Sequence, residues 1–146
     1  MTLKNWLDNG WLVEHQTSPQ EVADLLQVAD RDLKDCDTPG LSPDWQLNIS
    51  CNAALQAAAA ALAVCGYRAG RDAHHHRVIQ SLRHTIGAAA DLANQFDQYR
   101  KKRNIGGYEM AGMISQKEAD GMKALAKRIR KEIEEWLRKQ HPGVMA

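Results

Sequence analysis

SPDWQLNISCNAALQAAAAALAVC, residues 42 to 65, is the stretch on which the fold turns. Ser42 is a residue whose hydroxyl accepts from the first free backbone N–H groups of a helix, and Pro43 supplies the fixed φ suited to the first helical position. From Ala53 the segment is small on nearly every face, with Ala54, Ala57 to Ala61 and Ala63, while Leu55, Leu62 and Val64 give bulk. Small side chains let neighbouring helices approach closely, and a helix without a polar face is a surrounded helix. Residues 42–65 therefore read as the centre of a helical bundle.

The flanking segments supply the partners. Ser18-Pro19-Gln20-Glu21 is a capping box with Pro at the first helical position, followed by a stripe of Val22, Leu25, Leu26, Ala29, Leu33 and Cys36. Thr38-Pro39-Gly40 ends it. Further upstream, Leu3, Trp6, Leu7 and Trp11 mark a short amphipathic helix over about residues 2–14, weakened by Gly10. Downstream, Gly66, Gly70 and Asp72 mark a turn. A fourth helix is expected from Ala73 to Gly87 with Val78, Ile79, Leu82 and Ile86 on its apolar face. A fifth, Ala88 to Asn104, places Leu92, Ala93, Phe96 and Tyr99 inward. Ser115-Gln116-Lys117-Glu118 is another capping box. It opens a last helix striped by Met122, Leu125, Ala126, Ile129, Ile133, Trp136 and Leu137, ending before Pro142-Gly143. The charges on its other faces, from Lys127 to Glu134, read as a solvated surface. The expectation is all-α: an up-and-down bundle of four to five main helices plus a short N-terminal one, as a single domain over residues 1–146.

Composition agrees. The chain has 146 residues, 44% hydrophobic and with a single Phe, long enough to bury a core without disulfide or metal. Its net charge of +1 hides an asymmetry. Residues 1–60 hold three Lys/Arg against nine Asp/Glu, a balance of −6, and residues 61–146 hold sixteen against nine, a balance of +7. A local basic surface is the expected consequence. Cys36, Cys51 and Cys65 form no CxxC pair and read as reduced, buried thiols of a cytoplasmic protein. Residues 1–10 lack the apolar core of a secretory signal, and the longest apolar run, Ala57–Cys65, is too short to span a bilayer, so no membrane association is expected.

Chemistry concentrates in FDQYRKKRNIGGY, residues 96 to 108. Four consecutive cations, Arg100, Lys101, Lys102 and Arg103, precede Asn104, and Gly106-Gly107 then stops the helix before Tyr108. Cations in a last turn are favoured by the helix dipole; the same row can instead present a phosphate-binding edge. Tyr108 reads either as an aromatic plug or as part of that edge. His74-His75-His76 resembles a metal site, but consecutive helical residues point about 100° apart and cannot share one ion, so neither metal nor cofactor is expected. RAGRD at residues 68–72 lacks the Lys and second Gly of a phosphate loop. The Trp residues fall on apolar stripes, which favours packing over base stacking.

NAALQAAAAALAVCGYRAGRDAHHHRVIQSLRHTIG, residues 52–87, resembles the central helix pair of HEPN domains (higher eukaryotes and prokaryotes nucleotide-binding). RNIGGY, residues 103–108, looks like that family's signature region, and the similarity covers about residues 18–140. It is closest to small stand-alone bacterial or archaeal members. The resemblance implies a homodimer and a metal-independent endoribonuclease of toxin–antitoxin or host-defence type. RNA or a nucleotide is the implied ligand, and a nucleotidyltransferase-type antitoxin the implied partner. The family's motif is an Arg, a polar residue, then a His after four to six residues. Arg103 matches the Arg and Asn104 the polar residue, but Tyr108 stands where the His belongs, with four residues between. Arg71 to His76, Arg68 to His74 and Arg77 to His84 fit the same loose spacing outside the helix-end context. Tyr titrates near 10 and exchanges protons poorly at neutral pH, whereas His titrates near 6.5. The resemblance thus implies phosphate binding by Arg100, Lys101, Lys102 and Arg103 and a catalytic trio of Arg103, Asn104 and Tyr108. The alternatives are a non-catalytic adaptor bundle that pairs with another protein and a scaffold with no ligand.

Overall fold

A computed structural model describes residues 2–106 and 114–145, the side chains of 104–106 and 145 apart. Tyr108 and the glycine at 107 lie outside the described residues. Among those described, the order is α1 (Leu3–Asp8), β1 (Leu12–Glu14), α2 (Pro19–Asp35), α3 (Pro43–Val64), β2 (Tyr67–Ala69), α4 (His74–Thr85), α5 (Ala90–Gly106), α6 (Gln116–Gln140) and α7 (Pro142–Met145). The protein is a helical bundle with a short N-terminal helix, and α2 to α6 are its main members.

The Ser caps act where the sequence places them. Ser18, Ser42 and Ser115 accept from the N–H of Glu21, Trp45 and Glu118, and Glu118 returns the bond to Ser115 to complete its box. α3 lies between α2, α6, α4 and α5 and is buried along its length: Leu47, Cys51, Ala54, Ala57, Ala58, Ala60 and Ala61 are 0% exposed. Among the described residues it is also the one helix long and apolar enough to cross a membrane, at mean hydropathy 1.4, and here 67% of that window is buried inside the protein. The stripes of α2 and α6 close over it, with Val22, Leu26, Ala29, Met122, Ala126, Ile129, Ile133 and Leu137 all buried.

The N-terminus corrects the expected helix over residues 2–14. α1 ends at Asp8, Gly10 takes a φ of 78° that a side chain would strain, and residues 12–14 form a strand. β1 pairs antiparallel with β2, Leu12 opposite Ala69 and Glu14 opposite Tyr67, within a segment that reads as a turn in the sequence. Leu12 is buried and Val13 exposed. The ladder with β2, rather than any periodicity of three residues, identifies the strand. A second correction concerns charge. Arg130 leaves the solvated face and forks onto Asp30 of α2 at 2.9 and 3.1 Å, while Lys123 and Lys127 each hold Asp37 at 3.1 Å. The acidic first part of the chain and its basic remainder thus partly neutralise each other across the α2–α6 face.

Candidate functional site

α4 and α5 lie side by side and meet at the beginning of the first and in the second half of the other. The chain enters α4 through Ala73, whose φ of 51° is left-handed for a residue with a Cβ, and no side chain caps the helix. That bend sets three imidazoles on the opening turn. His74 Nδ1 lies 3.1 Å from the Gly70 carbonyl oxygen. His76 reaches across to α5, its Nδ1 3.1 Å from Oδ2 of Asp97.

Asp97 is the residue that organises this end. It follows the buried Phe96 and lies one turn after Ala93, so it shares the inward face, and it is only 6% exposed. Its other oxygen, Oδ1, accepts from Nε of Arg100 at 2.8 Å, and Lys101 Nζ lies 3.8 Å from Oδ2. Burial works to raise the Asp97 carboxyl, but the bonds from Arg100 and His76 outweigh it and hold the group below the usual carboxylate range. A buried carboxylate is tolerated when several donors satisfy it, and here donors come from both helices.

The four cations of 100–103 divide into separate roles. Arg100 is half-buried on Asp97, Lys101 is exposed and touches the same carboxylate, and Lys102 pairs across to Glu118 of α6. Arg103 makes no hydrogen bond or ion pair among the described residues. Its charge is felt inside, however. Burial pushes the Cys51 thiol of α3 up to about 12, with Arg103 and Arg100 acting in the opposite direction. Burial, and then Arg103, also push His75 below the ordinary imidazole range. His75 is therefore biased to the neutral form that accepts a proton.

Of the sequence-derived candidates, the structure brings Arg100, Arg103 and Lys101 to one end of the bundle and turns Lys102 to α6. Asn104 has its backbone in α5 and its side chain outside the described residues, and Tyr108 lies outside them altogether. Asp97 and His76 are the members that the sequence reading missed. The signal for Asp97 was its register: residues 93, 97 and 100 recur at helical spacing on a face that already carries Phe96. Among the described residues no group of three or more His, Cys, Asp or Glu is arranged to hold a metal ion. Compared with known proteins, the chain matches no family model, no curated protein and no solved structure.

Proposed function

We propose that the protein is a HEPN-type RNA-binding protein that cleaves single-stranded RNA without metal at the α4–α5 end. The observation that supports this most is Asp97, a buried carboxylate holding an arginine and a histidine from two helices. Arg103 adds a charge with no ion-pair partner among the described residues. Metal-independent cleavage needs a base to take the proton of the 2′-hydroxyl, whose oxygen then attacks phosphorus. The P–O5′ bond breaks, and an acid protonates the leaving O5′. His75, biased neutral, takes the base role. His76, oriented through Nδ1 by Asp97 with Nε2 turned to substrate, takes the acid role. Arg103 offsets the charge that grows on the phosphoryl oxygens. In this reading the imidazole that the motif lacks at Tyr108 comes from α4.

The test is cleavage of a labelled single-stranded RNA pool, with chelator present, by wild type, His76→Gln, His75→Gln and Tyr108→Phe. Loss of about 10²–10⁴-fold is expected for the histidine variants, the usual contribution of acid–base catalysis. Little change is expected for Tyr108→Phe. The reverse pattern would return the proton-transfer role to Tyr108. An inert but folded wild type would remove the nuclease reading.

The adaptor reading then takes its place, and one observation favours it. Trp45 is 57% exposed at the start of α3, a large apolar ring on a surface. A second copy of the chain or a nucleotidyltransferase-type partner would cover it. Light scattering of wild type against Trp45→Ala tests the homodimer, and an unchanged monomer mass of 16.3 kDa for both would count against it.

A further inference from the structure

A second cluster lies along α4, where the N-terminal segment crosses it. A cavity of about 460 Å³ opens there, in the range of ordinary small-ligand sites, with the indoles of Trp6 and Trp11 in its wall. Its charged lining is one-sided: Arg77 and Arg83 contribute, together with the imidazoles of His76 and His84, and no Asp or Glu does. Neither arginine has a carboxylate partner among the described residues. Arg77 lies flat on the aromatic wall, its guanidinium carbon 3.6 Å from the Trp11 ring centroid and 6.0 Å from that of Trp6. Its Nε–H is buried and finds no acceptor among the described residues. His84 stands edge-on to Trp6 at 5.2 Å, and burial pushes it below the ordinary imidazole range, which leaves the arginines as the fixed charges at neutral pH.

Two permanent cations without acids call for an anion, and a guanidinium stacked on indole offers a delocalised plane that suits a base. One residue joins this groove to the cluster described above, because His76 lines it and also bonds Asp97. We infer that the groove is a nucleotide subsite for single-stranded RNA: a base stacks on the Arg77–Trp11 pair, Arg83 takes a phosphate, and the next phosphodiester along the strand meets His76. The inference rests on the RNA reading of the α4–α5 end and extends it by the path of the strand.

The experiment is fluorescence anisotropy of a labelled 2′-O-methyl oligoadenylate, which lacks the hydroxyl that cleavage needs, across a salt series. Wild type is compared with Arg83→Gln, Arg77→Lys and Arg103→Gln, each checked for helicity. Arg83→Gln, at an exposed position, should weaken binding and reduce the log–log salt slope by about 0.7, the share of one phosphate on a single strand. Arg77→Lys keeps the charge and removes the plane, so it should weaken binding by roughly tenfold while the slope stays. Wild-type affinity and slope in both groove variants, with loss only in Arg103→Gln, would overturn the groove and leave the α4–α5 reading standing. Loss only in the groove variants would keep the groove and overturn that reading. A wild type that fails to bind the strand at low salt overturns both. Adenosine monophosphate binding as tightly as the oligomer would assign the groove to a free nucleotide and overturn the single-strand assignment.

Discussion

α3 and α5 are the two helices without a clean apolar stripe, for opposite reasons. α3 is apolar all round because α2, α4, α5 and α6 cover it, and its Ala residues let those neighbours close in. α5 is polar nearly all round and holds to the bundle by Leu92, Ala93 and Phe96, with Asp97 beside them. One helix buys density by giving up polar groups. The other keeps charges at the edge of the core, where low dielectric strengthens them and pairing is needed. The difference teaches where to look for function: α3 carries the fold, and α5 carries the charges on which the proposed function rests.

The largest break in that comparison is Phe96→Ala. Phe96 is fully buried and is the only Phe in the chain, so its loss should cost about 3–5 kcal/mol in urea unfolding. At the alanines of α3 truncation has little to remove, and enlargement is the informative change. Ala58→Leu should cost about 1–3 kcal/mol through overpacking. A Phe96→Ala protein as stable as wild type would mean that α5 is held by its charges instead.

Asp97→Asn comes next, at about 1–3 kcal/mol near neutral pH, because the half-buried Arg100 loses its acceptor charge. The folded carboxyl lies below the free-chain value of about 3.9. Its contribution is therefore complete above that value and fades as the pH falls through the lower folded one. Wild type and Asp97→Asn should converge in acid. A gap that persists at pH values well below the free-chain one would show that Asp97 acts by shape rather than by charge.

A smaller effect sharpens the α5–α6 contact. The Tyr99 hydroxyl of α5 sits where a Cβ on Gly121 of α6 would have to be. Gly121→Ala gains about 1 kcal/mol of helix propensity, but the collision should turn this into a net loss of similar size. In a Tyr99→Phe background the oxygen is gone and the same change should stabilise. Equal effects in both backgrounds would place the cost elsewhere.

The smallest effect is kinetic. Burial holds Cys51 near 12 and raises Cys65 too, but Cys65 is half-exposed. Alkylation of the native protein at mildly alkaline pH should label Cys65 first and leave Cys51 unmodified, since thiolate is the reactive form. Prompt labelling of Cys51 would indicate that α5 opens away from α3.

Much of the bundle was legible because its signals are local. Ser18, Ser42 and Ser115 announce helix starts by chemistry that acts within four residues, and the stripes of α2, α4 and α6 repeat within a turn. The strand at residues 12–14 was not, since its partner lies more than fifty residues on and three residues carry too little periodicity. Trp11 is readable as a residue of an apolar stripe and Arg77 only by its spacing to His84, and nothing in the sequence places one on the other.

The sequence by itself determined the five main helices α2 to α6, that residues 43–64 form the packed centre, and that cations gather at the end of α5. Tertiary structure alone decided what those cations do. Arg100 and Lys102 are drawn to Asp97 and Glu118, Arg103 is left without an ion pair among the described residues, and His76 is joined to a carboxylate twenty-one residues away. The physical reason is range. Helix caps and apolar periodicity act over a few residues of chain, whereas ion pairing and burial depend on distances in space that only the packed helices set.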